Sequence, residues 1–198
     1  MQDQKQSKWV RRVATPLAGQ TLGILGLGAI GQQVAHIASA IGMRVIGTKR
    51  RAAEPLPHLD AVLPPERTDE VLAQSDYVLL LLPATPDTEN FINTQRLARM
   101  KPTAWLLNFG RGHLIADADL IAAVKGKQIA GAILDVFRQE PLPTEHPFWT
   151  TEGITVLPHI GGGHPQRDRV VAQLFVENLR RFLDNQPLKE VVDRTAGY

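Results

Sequence analysis

The chain has 198 residues, 43% of them hydrophobic, enough for one substantial domain with its own core. The 22 Lys and Arg against 20 Asp and Glu leave a formal charge of +2, so bulk electrostatics makes no case for nucleic acid or an acidic membrane surface. Cysteine is absent, which excludes disulfides, thiolate metal sites and a cysteine nucleophile.

The opening MQDQKQSKWVRR carries no apolar run behind its charges and does not read as a secretory signal. No stretch approaches the ~20 apolar residues of a membrane span. By this absence of an address, a cytoplasmic location is the expectation. Residues 1–16 are polar, end in Thr15-Pro16, and read as a connecting segment outside the core.

From residue 17 the pattern alternates. Apolar runs at 21–27, 44–48, 77–82, 104–109, 129–136 and 154–157 suit strands buried on both faces, with a weaker candidate at 60–63. Helical periodicity fills the intervals at 30–41, 68–74, 94–100 and 117–125, and Asp117 is placed to cap the last of these. The alternation predicts a doubly wound α/β domain over 17–164, with a parallel sheet and helices on both faces. Residues 137–153, with Pro141, Pro143 and Pro147, read as a long loop of the kind that is usually functional. A strongly amphipathic helix is expected over 167–185, within a C-terminal segment 165–198 that packs on this domain, a second domain or a partner.

The first strand runs into Gly26-Leu27-Gly28-Ala29-Ile30-Gly31, a G-x-G-x-x-G sequence opening a helix. Gly26 permits the tight turn, Gly28 lets the backbone approach a pyrophosphate, and Gly31 lets helix and strand pack closely. The backbone N–H groups of Ala29 and Ile30 then face the phosphates at the helix N-terminus. Glycines also end strands for structural reasons alone, but a strand before and a helix after favour a dinucleotide. The second strand ends Thr48-Lys49-Arg50-Arg51, without the carboxylate that would bind ribose hydroxyls in an NAD site. A hydroxyl and three cations attract a 2′-phosphate, so NADP(H) is expected in preference to NAD(H). The competing view is a solvated basic turn.

Three later segments follow strand ends: Asn108-Phe109-Gly110-Arg111-Gly112, Asp135-Val136-Phe137-Arg138-Gln139-Glu140-Pro141-Leu142-Pro143, and Pro158-His159-Ile160-Gly161. Ligands bind open α/β sheets at such ends. Reduction of a carbonyl by a nicotinamide needs hydride at the carbon and a proton at the oxygen. An imidazole supplies that proton near neutral pH, which makes His159 the candidate general acid. Glu140 would hold the other ring nitrogen, and Arg111 offers a planar fork to a carboxylate or to the developing oxyanion. Each residue separately has a bland alternative, as a surface cation, a solvated loop acid or a strand-end histidine; their joint occurrence favours the catalytic reading. His36, His58 and His146 are expected to be structural or exposed, His113 follows the arginine loop within reach of a substrate but is expected not to contact it, and no metal constellation is apparent.

GLGAIG, NFGRG, DVFRQEPLP and PHIG, in this order, resemble the D-isomer-specific 2-hydroxyacid dehydrogenase family over about residues 9–192. The HPFW of residues 146–149 resembles its glyoxylate/hydroxypyruvate reductase branch. The resemblance implies a Rossmann-type fold, a small 2-oxoacid or 2-hydroxyacid substrate and a homodimer, with neither nucleic acid nor membrane as partner. It gives the parts of acid, orienting carboxylate and substrate-binding guanidinium to His159, Glu140 and Arg111. It implies a contact from Asp135 to the nicotinamide carboxamide, and cofactor contacts around Leu82, Pro83, Thr88, Phe109, Gly110, Arg111, His159 and Gly161. It also implies a substrate domain built mainly from preceding chain. Only residues 1–16 precede the alternating pattern, so that domain is expected to be largely absent. A cofactor-binding or dimerising module without turnover is therefore the alternative to an active reductase. A cofactor-sensing interaction protein, like the family's corepressor relatives, has less support. The run Gly161-Gly162-Gly163-His164 departs from the family's usual small or hydroxyl residues, and His164 either reaches the site or caps the last helix.

Overall fold

The computed structural model describes residues 6–11, 13–50 and 56–194. Seven strands form one parallel sheet among these residues: β1 (Thr21–Leu25), β2 (Arg44–Thr48), β3 (Ala61–Leu63), β4 (Tyr77–Leu80), β5 (Trp105–Asn108), β6 (Gly131–Leu134) and β7 (Ile154–Val156). The spatial order is β3-β2-β1-β4-β5-β6-β7. The chain therefore works outward from β1 to one edge, then returns to β4 and works outward to the other. That reversal opens a crevice at the carboxyl ends of β1 and β4.

The helices are α1 (Ala29–Ala40), α2 (Thr68–Gln74), α3 (Thr94–Leu97), α4 (Asp117–Lys125) and α5 (Arg167–Leu183). Strand side chains alternate between two cores, because successive residues point to opposite faces. Leu22, Ile24 and Val45 pack with Ala35 and Ala38 of α1. Leu25 and Ile46 pack with Val71 and Leu72 of α2, in a larger cluster that continues through Leu97, Leu106, Leu120 and Phe148. This two-faced burial is the physical reason the strands read as continuous apolar runs. Two carboxylates pin the far end of the sheet. Asp76 Oδ2 accepts from Thr21 N and Asp60 Oδ2 from Val45 N, each at 2.8 Å.

The strands are shorter than their apolar runs. β1 stops at Leu25 and β4 at Leu80, while Leu27, Leu81 and Leu82 beyond them still pack against the cores. α3 ends at Leu97 rather than Met100 and α5 at Leu183 rather than Asn185. Asp117 is not a cap: the N-cap of α4 is Ala116, and Asp117 occupies the first helical position. Its carboxylate instead faces Arg138 and His146, both at 3.6 Å. Within the 137–153 loop, Pro147–Trp149 form a single 3-10 turn that buries Phe148. No residue of α5 is buried, and Val170, Val171, Phe175, Leu179, Phe182 and Leu183 are all exposed. No helix among the described residues is long and apolar enough to cross a membrane.

Candidate functional site

The glycine loop lies where β1 enters the crevice. Gly26 has φ +108°, and a Cβ there would sit 2.8 Å from the Leu81 carbonyl oxygen. A Cβ at Gly31 would come within 2.5 Å of the Gly26 oxygen, so α1 approaches the loop as closely as backbone allows. Gly28 differs: nothing lies within 4 Å of its absent Cβ. Space therefore opens in front of α1, whose first N–H groups, including those of Ala29 and Ile30, have no intrahelical acceptor. α1 carries neither a side-chain cap nor an acidic residue in its first turn. Room, unpaired donors and the positive end of the helix dipole together fit a pyrophosphate.

The Leu27 N–H donates to the Thr48 carbonyl at 3.1 Å, which sets the end of β2 beside this loop. Thr48 is buried, while Lys49 and Arg50 follow it at the surface edge. Arg51 lies outside the described residues. On the other side of the crevice, Leu82 and Pro83 lead into the turn Pro86–Thr88. The Thr88 hydroxyl donates to the Pro83 carbonyl at 2.7 Å and accepts from Thr85 N at 2.8 Å, so it is engaged within its own turn.

Three loops beyond β5, β6 and β7 bring the acid–base candidates together. Asn108, buried at the end of β5, accepts from Gly110 N at 3.1 Å and donates through Nδ2 to the Arg111 carbonyl at 3.0 Å. This Asx turn presents Arg111 to solvent, with Nη1 donating to the Gly110 oxygen at 2.7 Å. Beyond β6, Glu140 Oε1 accepts from Phe137 N at 2.8 Å, closing a tight turn. Its other oxygen, Oε2, lies 2.7 Å from His159 Nδ1. The His159 hydrogen bond holds the Glu140 carboxyl below the usual range. It outweighs the opposing effect of desolvation, and the Phe137 N–H and the charges of His159 and Arg111 add to it. The side chains of His159 and Glu140 remain 52% and 36% exposed, so the pair is open to a ligand.

Asp135 is 2% exposed. Its two carboxylate oxygens accept from Ile160 N and Gly161 N, each at 2.8 Å, so the end of β6 holds the His159 loop. Gly161 packs against the Phe109 ring, where a Cβ would sit 2.8 Å from Cδ1. His159 itself adopts φ +52°, a left-handed conformation that non-glycine residues seldom occupy.

Four of the remaining histidines are engaged in contacts of their own. His36 Nδ1 and His58 Nε2 share a hydrogen bond at 3.0 Å, and His146 Nδ1 accepts from Phe148 N at 3.3 Å. His164 Nδ1 accepts from Gln166 N at 3.1 Å, which places its ring at the turn into α5. No group of three metal-ligating side chains occurs among the described residues. Two residues that shape the loops carried no role in the sequence reading: Asn108 and Arg138. Asn108 had a readable signal in its Asn-x-Gly turn spacing. Arg138 had none, because its partners are distant in sequence.

The comparisons with known proteins agree with this architecture. The family model described as "D-isomer specific 2-hydroxyacid dehydrogenase, NAD binding domain" matches residues 1–161. A glyoxylate reductase of Pyrococcus furiosus is 40% identical over 167 residues, covering 84% of this chain and 49% of the relative. A D-3-phosphoglycerate dehydrogenase of Synechocystis is 34% identical over 201 residues, covering 96% of this chain and 34% of the relative. Among solved structures, an NADPH-dependent glyoxylate/hydroxypyruvate reductase of Sinorhizobium meliloti, in complex with NADP and sulfate, superposes with a TM-score of 0.90. It is 30% identical, and the match covers all of this chain and 63% of that one. The first curated relatives are thus spanned over 34% to 59% of their own length. A parallel sheet in dehydrogenase order, the glycine cradle and the matched family model lead to one conclusion: the chain belongs to the D-isomer-specific 2-hydroxyacid dehydrogenase family, of which it carries the NAD-binding domain.

Proposed function

We propose that this chain forms the cofactor-binding and proton-transferring part of an NADP(H)-linked reductase of small 2-oxoacids such as glyoxylate or hydroxypyruvate. The observation that carries this reading is the 2.7 Å pairing of His159 Nδ1 with Glu140 at the carboxyl end of the sheet, on the same side as the glycine loop. The nicotinamide, when bound, supplies the hydride. Glu140 occupies Nδ1 and fixes the orientation of the ring, which leaves Nε2 as the atom that passes a proton to the substrate oxygen. Arg111 provides donors for the substrate carboxylate and for the oxygen charge that develops during the transfer. Asp135 holds the His159 loop through Ile160 and Gly161.

Lys49 and Arg50 beside the glycine loop, with no carboxylate at the end of β2, support NADP(H) over NAD(H). The NADP bound in the Sinorhizobium meliloti relative agrees with this choice.

The exposure of His159 and Glu140 favours a second reading, a cofactor-holding module that does not turn over by itself. Hydride transfer benefits from an oriented and water-excluded site, and this one is open. The two readings separate in one assay: NADPH consumption by the chain with glyoxylate or hydroxypyruvate, beside His159→Ala. Turnover abolished by the substitution supports the reductase. Binding of NADPH without turnover in either protein leaves the module.

A further inference from the structure

Arg138 lies outside the acid–base trio, yet its guanidinium joins three other segments. Nη1 donates to Glu89 Oε1 at 2.6 Å, and Nη2 donates to Asn90 Oδ1, both residues following the turn Pro86–Thr88. Nη2 also reaches the carbonyl oxygens of His113 at 3.3 Å and Ile115 at 2.6 Å, on the segment that follows Arg111. Nε lies 3.6 Å from Asp117 Oδ1 at the start of α4. The side chain is 30% exposed, so these contacts form at the edge of the protein rather than on its open surface.

The backbone of Arg138 is bound into the site in a second way. Its neighbour Phe137 donates through N–H to Glu140, three residues further on. Gly112, next to Arg111, lies so close to the peptide between Phe137 and Arg138 that a Cβ there would stand 1.9 Å from the Phe137 carbonyl carbon and 2.3 Å from Arg138 N. The Arg111 loop and the Glu140 loop therefore touch through backbone, and the Arg138 side chain ties down the far ends of the same contact.

We infer that Arg138 is a positioning residue. By clamping the Glu140 loop to the Arg111 loop and to the 89–90 segment, it sets the spacing between the Arg111 guanidinium and the Glu140–His159 pair. The clamp requires arginine. A planar fork of three nitrogens serves acceptors on several segments at once, whereas a lysine ammonium serves a single point. As a statement about catalysis the inference rests on the reductase reading; as a statement about geometry it does not.

The test uses Arg138→Lys and Arg138→Met in this chain, with folding followed by circular dichroism. The Glu140 carboxyl is titrated by carbon-13 NMR, and NADPH affinity is measured by fluorescence. If the clamp sets the loop, Glu140 moves off His159 in both variants and titrates at a higher pH than in the parent. NADPH affinity at the glycine loop stays within about twofold, and oxoacid reduction loses about tenfold or more in kcat. An upward shift in Arg138→Met alone assigns the effect to the lost charge and overturns positioning, as does an unmoved titration in both folded variants. If the parent chain binds NADPH but reduces no 2-oxoacid, the reductase reading fails, and the Glu140 titration alone decides the role of Arg138.

Discussion

His159 occupies a left-handed backbone conformation, and such strain in a non-glycine residue costs roughly 1–3 kcal/mol unless its surroundings impose it. Asp135 imposes it here by accepting the next two N–H groups along the chain. Glu140 then fixes the ring through Nδ1. The residue is thus held from both sides, by backbone through β6 and by side chain through the loop beyond it. At the opposite side of the crevice, the proposed NADP(H) preference is tested at Lys49. A charge-assisted contact to a 2′-phosphate is worth about 1.5–3 kcal/mol, so Lys49→Ala should weaken NADPH binding about tenfold or more. NADH lacks that phosphate and should bind nearly as before. Fluorescence titration with both cofactors checks this, and equal losses for the two would remove the case for NADP selectivity.

At the scale of elements, the site is assembled from turns whose chemistry is local. Asn108 builds the Arg111 loop through its own side-chain amide, and Thr85 with Thr88 closes a reciprocal cap over Pro86–Thr88. Asn93 does the same for α3, accepting from Gln95 N at 3.1 Å and Arg96 N at 3.2 Å. α3 has a single turn, so its cap matters more than it would in a long helix. Asn93→Ala should cost about 1 kcal/mol of stability, measured as a lower urea midpoint with an unchanged slope. An unchanged midpoint would mean that packing of Leu97 holds the turn without its cap. Apolar periodicity located these elements, but it overran their ends. Leu27, Leu81 and Leu82 remain apolar although they lie beyond the strands, because they still pack against the two cores.

The whole molecule rests on one parallel sheet with unequal cover. Leu106 lies fully buried in the larger core, among residues from α2, α3 and α4. Leu106→Ala removes three side-chain carbons from the buried core and should cost about 2–5 kcal/mol. Denaturant unfolding measures it, and a loss under 1 kcal/mol would mean that the core collapses around the gap. α5 contributes no buried residue to this fold. Its apolar stripe is plain in the sequence, but periodicity says only that a face is apolar and never what it meets.

The sequence by itself determined the parallel α/β architecture, because strands buried on both faces must be continuously apolar and the helices between them periodic. It also located the glycine loop and the three segments that carry Arg111, Glu140 and His159, since each motif is contiguous in the chain. Only the tertiary structure decided which of these side chains touch: His159 meets Glu140 across 19 residues, and Asp135 turns its carboxylate to Ile160 and Gly161. It also moved Asp117 from cap to ion-pair partner and brought Arg138 to Glu89 across 49 residues. The physical reason is one of range. Propensity and pattern act over a few neighbours, whereas these contacts exist only once the sheet has set distant strand ends side by side.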